Sequence, residues 1–447
     1  MMESIGRIWS REPVGFRRGE LTDGDGLALV IVASIGGPAL LVGSSLALGG
    51  LSQVQILLVA PVAALLGGLV VGASARMAAS TGAGGTWLLR PSFGLVGAWL
   101  MTVIRLAMVA AWAVIGLQMA GRWGNGVVAA VGLPLPRAGI LAGFLGVAAL
   151  LAVLFGPFAV IRRVIRHPLL WASVVLLAVG AWRIAVTGAV AGPASDGPFW
   201  PAVQTAVEMA AVFVPFAQTI GRRLDDDSEA FSTFGVGYTI PTIVVLVAGA
   251  IFATRLGGLA DLTGLEAGTA GVALAAAWVL VAEFDQGLAS FLALGSEAAG
   301  VIGRLSPIFV GGLGAVGVIA AAVVMPTISL DWPLLLTSLA FPACLITVAD
   351  YFLARDRYYS ESEIYGAAAG DAWLNVVGIV TWVLAVLIGQ VFDPVGPDRW
   401  VALMPDLDIR ADLPWRLLMG VVAAIAYVVL SRYRRYRTAS VYDLRGV

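Results

Sequence analysis

Long apolar runs alternate with short polar connections along nearly the whole chain, from about residue 27 to residue 431. A helix needs about 20 consecutive apolar residues to cross a bilayer. On that length the pattern predicts about twelve spans, at 27–48, 54–75, 95–120, 139–160, 168–189, 200–221, 236–254, 269–293, 308–330, 333–354, 373–392 and 414–431. The period-two segments of an outer-membrane barrel are absent from the sequence. The expected fold class is an all-α polytopic membrane protein. Residues 1–26 are polar and read as a cytoplasmic tail, 27–431 as one transmembrane domain, and 432–447 as a second cytoplasmic tail.

Arginine placement orients the spans. With the N-terminus inside, nineteen Arg fall in inside segments, among them Arg76, Arg90, Arg162, Arg163, Arg166, Arg222 and Arg223, and six fall outside. Cytoplasmic loops carry such an excess. No cleavable signal peptide is read at the start. The expected location is the inner, or plasma, membrane, with multiple passes and both termini cytoplasmic.

Two runs carry helix-breaking residues. The first contains Ser34-Ile35-Gly36-Gly37-Pro38, and the sixth contains Phe213-Val214-Pro215. Glycine weakens a helix and proline removes a hydrogen bond. Interruptions at corresponding places in two halves point to a transporter built from inverted repeats. The plainer alternative is that Gly and Pro in membrane helices only permit kinks and close packing. Where the first helix unwinds, carbonyls near Ser34, Gly36 and Gly37 would be free for a cation or a substrate N–H.

Composition narrows the classes. The 447 residues are 60% hydrophobic and 12% charged, with a mean hydropathy of +0.93, against about a quarter charged in soluble domains. A net charge of −1 predicts no nucleic-acid partner. The single Cys344 excludes a disulfide framework and a thiolate metal site. His167 sits in a basic loop. Asp225-Asp226-Asp227 reads as a solvated loop, because adjacent acids do not converge on one ion unaided. There is no phosphate-binding glycine loop and no nucleophile motif. No catalytic residue, metal or cofactor is expected, and no enzyme activity.

The eighth run is the most informative. Glu283-Phe284-Asp285-Gln286 stands inside an apolar stretch long enough to span. A charge at the bilayer centre costs about 3 kcal/mol on insertion scales, so such groups usually face a cavity with a task. On a helix Glu283, Gln286 and Ser290 share one stripe, with Asp285 on the next. A carboxylate beside an amide can hold the donor–acceptor edge of a flat heterocycle. Trp112, mid-way along the third run, would stack on such a ring, and Phe213 would close the other side. The alternatives are plain packing for the aromatics and ion pairing with Arg105 for the acids. Arg105 itself reads as a counter-ion or a snorkelling side chain. Glu208 in the sixth run either titrates during coupling or snorkels to the outer interface, and the second reading is preferred. Gln118 falls on a different face from Trp112.

Several segments, in order over about residues 26–392, resemble the nucleobase–cation symporter-1 family, which includes the purine and cytosine permeases. They are Thr81-Gly82 with Leu89-Arg90-Pro91-Ser92-Phe93-Gly94 and Gly97; Arg105 with Trp112 and Gly116; Pro215 to Arg222; Glu283 to Ala289; and Ala349-Asp350-Tyr351-Phe352-Leu353-Ala354-Arg355 with Tyr358, Tyr359, Ile364 and Tyr365. Thr219-Ile220 stands where the family has Asp-Tyr, and Phe284 and Gln286 where it has Thr and Asn. The resemblance implies a five-plus-five inverted-repeat core of the amino-acid/sodium-symporter type. Repeat one would cover about 27–189, repeat two about 200–354, and two extra helices about 373–431. It implies a secondary active transporter importing a small planar nitrogen heterocycle by alternating access, working as a monomer in the lipid bilayer. Substrate contacts would come from Gly37, Trp112, Phe213, Glu283, Gln286 and Ser290. The coupling ion, H+ or Na+, would be served by Ser34, Gly36 and Asp285. Protons are preferred, because Phe284 and Asp285 replace paired hydroxyls that sodium-coupled relatives use. The rivals are an amino-acid or amine symporter on the same scaffold, and a non-transporting receptor or scaffold.

Overall fold

The computed structural model describes residues 21–130, 138–186, 197–256, 270–302, 306–325, 329–365, 373–405 and 413–443. Most of the expected N-terminal tail lies outside them. Among the described residues the regular elements are all helices. Ten are long and apolar enough to cross a membrane. Two shorter apolar helices, Gly139–Phe155 and Val376–Phe392, stand at the places of the expected fourth and eleventh spans. The chain is a multi-pass membrane protein.

The first run is two helices, α1 (Asp23–Ser34) and α2 (Gly37–Leu48). A capping box starts α1, with Thr22 and Asp25 exchanging side-chain and backbone hydrogen bonds. It stops at Ser34 because Pro38 has no N–H to offer the Ser34 carbonyl. Next come α3 (Gln53–Thr81) and α4 (Thr86–Ala130). α4 starts before the predicted third span and is broken at Gly94, whose φ is +71°. There a side chain would be strained and would meet the Leu374 and Asn375 backbone at 2.7 Å. The Asn375 N–H donates to the Phe93 carbonyl, and the Val96 N–H to that of Trp373, so the Ser-Phe-Gly motif fastens two distant segments.

After α5 (Ala138–Phe155), a short helix (Pro157–Val160) and a π-helical stretch (Ile161–Leu169) lead into α6 (Leu170–Val186). The sixth run is α7 (Phe199–Glu208) and α8 (Ala210–Gly221). Here the structure corrects the expectation. Phe213-Val214-Pro215 lies inside α8, and the interruption is at Met209, which keeps helical dihedrals. The missing N–H of Pro215 affects only the preceding turn, and the helix absorbs it. The rest comprises α9 (Asp227–Leu256), α10 (Ala270–Ile302), α11 (Pro307–Val324), α12 (Asp331–Ala349) with a π-helical stretch after it (Asp350–Ala354), α13 (Glu361–Tyr365), α14 (Val376–Phe392), a short helix (Asp398–Val401) and α15 (Trp415–Asp443).

The most extensive pairings are α3 with α9 and α4 with α10. Each joins helices five spans apart, as two related halves would. Small residues bring the backbones close: a Cβ on Gly72 of α3 would lie 2.7 Å from the Phe231 carbonyl of α9. Polar fastenings hold the ends. Asp350, fully buried, accepts from Tyr359 Oη at 2.9 Å and Ser92 Oγ at 3.2 Å. Burial and the Asp350 carboxylate push the Tyr359 phenol well above its usual range, so it stays a donor. Asp226 caps α9 by accepting from Ser228 and the Glu229 N–H, which holds its carboxyl below the usual range. Asp227 pairs with Arg76 at 2.8 Å. The triple-Asp loop therefore does helix-capping and pairing work.

Candidate functional site

The break between α1 and α2 meets the middle of α10. The freed N–H of Gly37, at the start of α2, donates to Glu283 Oε1. A helix N-terminus leaves such N–H groups unpaired and attracts negative charge. A Cβ on Gly37 would lie 2.5 Å from that same oxygen. A Cβ on Gly116 of α4 would overlap Glu283 Oε2, and one on Gly36 would overlap Gln286 Oε1. Glu283 is thus wedged between the unwound first helix and α4, with Gln286 one turn further along α10 against the break. Three glycines create the room. Met119 of α4 closes over Gly37.

Both acids and the amide are buried. Among the described residues, neither oxygen of Asp285 has a hydrogen-bond partner, nor do Gln286 Oε1 and Ser34 Oγ. Orphaned buried polar groups call for an explanation, because each costs about 1–3 kcal/mol. Ser290, two turns beyond Glu283, is half-buried.

Trp112 is fully buried in α4, and its Nε1 donates to Thr337 Oγ1 of α12 at 2.9 Å. That bond fixes the indole plane. Phe213 lies against Tyr238 of α9, with ring centroids 5.0 Å apart at 67°. Among the described residues no ring contact joins Trp112 to Phe213. The structure therefore brings Gly36, Gly37, Glu283 and Gln286 together, and sets each of the two aromatics against a partner of its own.

Arg105 does not pair with Glu283 or Asp285. Its guanidinium lies 2.7 Å from Glu297 Oε1 and donates to Gln218 Oε1 at 2.6 Å, joining α4, α10 and α8. Glu297 escaped the sequence reading because the eighth span was ended at 293, whereas α10 runs to Ile302. The preferred reading of Glu208 is also corrected. It is buried and accepts from Arg416 Nε at 3.1 Å, and Arg416 reaches the Asp393 carbonyl at 3.2 Å. The outer half of the sixth run is thereby bolted to the C-terminal helices. Gln118, read from the sequence as lying on a different face from Trp112, donates to the Met325 carbonyl.

A cavity of about 740 Å3 lies between α1, α6 and α9. Its walls, including Leu27, Ile31, Val174, Ile240 and Val244, are aliphatic. It offers no polar side chain to orient a heterocycle, which a specific site requires.

No family model matches the sequence, and no curated protein matches it. Solved structures do. Mhp1, a nucleobase-cation-symport-1 family transporter in a closed conformation with bromovinylhydantoin bound, is similar over 96% of both chains, with a TM-score of 0.76 and 15% identity. Inward-facing Mhp1 is similar over 96% of this chain and 94% of its own, with a TM-score of 0.69 and 16% identity. MhsT in complex with L-phenylalanine covers 91% and 98%, with a TM-score of 0.54 and 14% identity. The chain has the Mhp1 fold, the architecture that the resemblance read from the sequence implied.

Proposed function

We propose that this protein is a secondary active transporter of a small planar nitrogen heterocycle, driven by a proton or sodium gradient through alternating access. The observation that carries the reading is the junction of the first-helix break with Glu283 and Gln286, in a fold shared with a hydantoin-bound transporter. Trp112 supplies a ring face, held in plane by Thr337, and Phe213 a second apolar wall. Glu283, Gln286 and Ser290 recognise the edge of the ring, and Gly37 positions Glu283. Asp285, with Ser34 and the carbonyls near Gly36, serves the coupling ion. The protein works in the inner or plasma membrane with both termini cytoplasmic, consistent with the arginine bias.

An amino-acid symporter on this scaffold would hold its substrate carboxylate at the α2 N-terminus. Glu283 already occupies that position and would repel it. This favours the heterocycle.

The test is equilibrium binding of nucleobases, hydantoins and amino acids to purified protein, with uptake into proteoliposomes. Trp112→Ala should weaken heterocycle binding by about 1–3 kcal/mol, the range for base–aromatic stacking. Trp112→Phe should keep part of that. Equal affinity in wild type and a folded Trp112→Ala variant would remove Trp112 from the site.

A further inference from the structure

We propose that the site selects rings carrying two adjacent N–H donors, as in a 2-amino-lactam such as isocytosine or guanine, over imides such as uracil, xanthine or hydantoin. This rests on the heterocycle reading above and goes beyond it in naming the edge.

The argument is one of donors and acceptors. Two natural donors of the region are already committed: the Gly37 N–H to Glu283, and Trp112 Nε1 to Thr337. Among the described residues, the partnerless buried oxygens on this stretch of α10 are Asp285 Oδ1, Asp285 Oδ2 and Gln286 Oε1. Glu283 retains its second oxygen, Oε2, toward α4. An ionised carboxylate accepts only. Its best partner is a fork of two parallel N–H bonds, the geometry that makes guanidinium–carboxylate pairs strong. A 2-amino-lactam presents that fork as its ring N–H and exocyclic amine. Its neighbouring carbonyl then meets the Gln286 carboxamide, which has N–H groups to give. An imide edge has one N–H between two carbonyls. Set on Glu283, it makes one bond and forces carbonyl oxygens against a carboxylate in a buried place, where unmatched polar atoms are most costly. Gly37 and Gly116 lie close against the two Glu283 oxygens, one on each side.

The experiment is competition binding on the full-length purified protein with two matched pairs, isocytosine against uracil and guanine against xanthine. Each pair keeps ring size and differs in the edge. The expected result is a preference for the amino-lactam on the order of 100-fold or more, as a site built around buried hydrogen bonds discriminates strongly. Glu283→Gln replaces one acceptor by a donor and should collapse or invert that preference in both pairs. Wild-type protein that binds uracil and xanthine as tightly as their amino partners overturns this inference and leaves the heterocycle reading standing. Wild-type protein that binds neither pair and no other heterocycle, but binds an amino acid, overturns the heterocycle reading and this inference with it. The wild-type comparison decides the matter even where Glu283→Gln does not fold.

Discussion

Gly116→Ala isolates the placement of Glu283 from the stability of the fold. The substitution adds one methyl to the middle of α4, where the new carbon would overlap Glu283 Oε2. Glu283 must then turn away, and Oε1 leaves the Gly37 N–H. A hydrogen bond to a charged group contributes about 1.5–3 kcal/mol. If binding needs Glu283 where it stands, affinity should fall roughly 10- to 150-fold. Alanine meanwhile favours the helix by about 1 kcal/mol over glycine, which offsets much of the local strain in the ligand-free protein. Binding and stability should therefore separate. The assay is equilibrium binding of the tightest heterocycle, run beside thermal unfolding without ligand. Affinity should drop while the unfolding temperature moves by no more than about 2–4 °C. An unchanged Kd in the folded variant would refute the placement of Glu283 as a substrate group.

Arg416→Ala should destabilise the protein by about 3–5 kcal/mol, because it leaves buried Glu208 without its cation; adding Glu208→Gln should restore part of the loss in thermal unfolding. Arg166→Gln, which breaks the 3.1 Å pair with Asp25 at a half-exposed guanidinium, should cost less than about 1 kcal/mol and lose its effect in high salt. Asp285→Asn should abolish gradient-driven uptake while leaving heterocycle binding measurable. If protons drive the wild type, an inward pH gradient should suffice without sodium. If sodium drives it, sodium and substrate should raise each other's affinity equally. Unchanged gradient dependence in Asp285→Asn would move coupling to another group.

Much of the architecture was legible because apolar run length is a local property. The first break was legible too, since Gly36-Gly37-Pro38 removes both helix propensity and a backbone donor within three residues. The second was misplaced for a physical reason. Proline costs one bond in the turn before it, and in a packed helix that turn still holds, so Pro215 sits within α8 and the chain gives way at Met209, which nothing in its side chain announces. The carboxylates of the eighth span stood out by cost alone. Their surroundings did not, because Gly116 lies 167 residues from Glu283 and its role is purely the room it leaves. Thr337, the partner of Trp112, is likewise invisible without the packing of α12 on α4.

Four of the buried acids, Glu208, Glu283, Asp285 and Glu297, show why position in a span is not by itself a sign of ligand binding. Glu208 and Glu297 each face an arginine, and each pair joins helices that are distant in sequence. Such pairs cost desolvation on both sides and return it as attraction, so they fix geometry with little net stabilisation. Glu283 has a single backbone N–H, and neither oxygen of Asp285 has a described hydrogen-bond partner. A carboxylate held this way in a membrane interior is costly until a donor or a cation arrives. Under the proposed function the arrangement is reasonable, since a site already satisfied would gain nothing from its ligand. The two paired acids hold the frame against which the first helix and α10 meet. The two unpaired ones sit at or beside that meeting point, within two residues of each other on α10, where, under the proposed function, substrate and coupling ion would each relieve one of them.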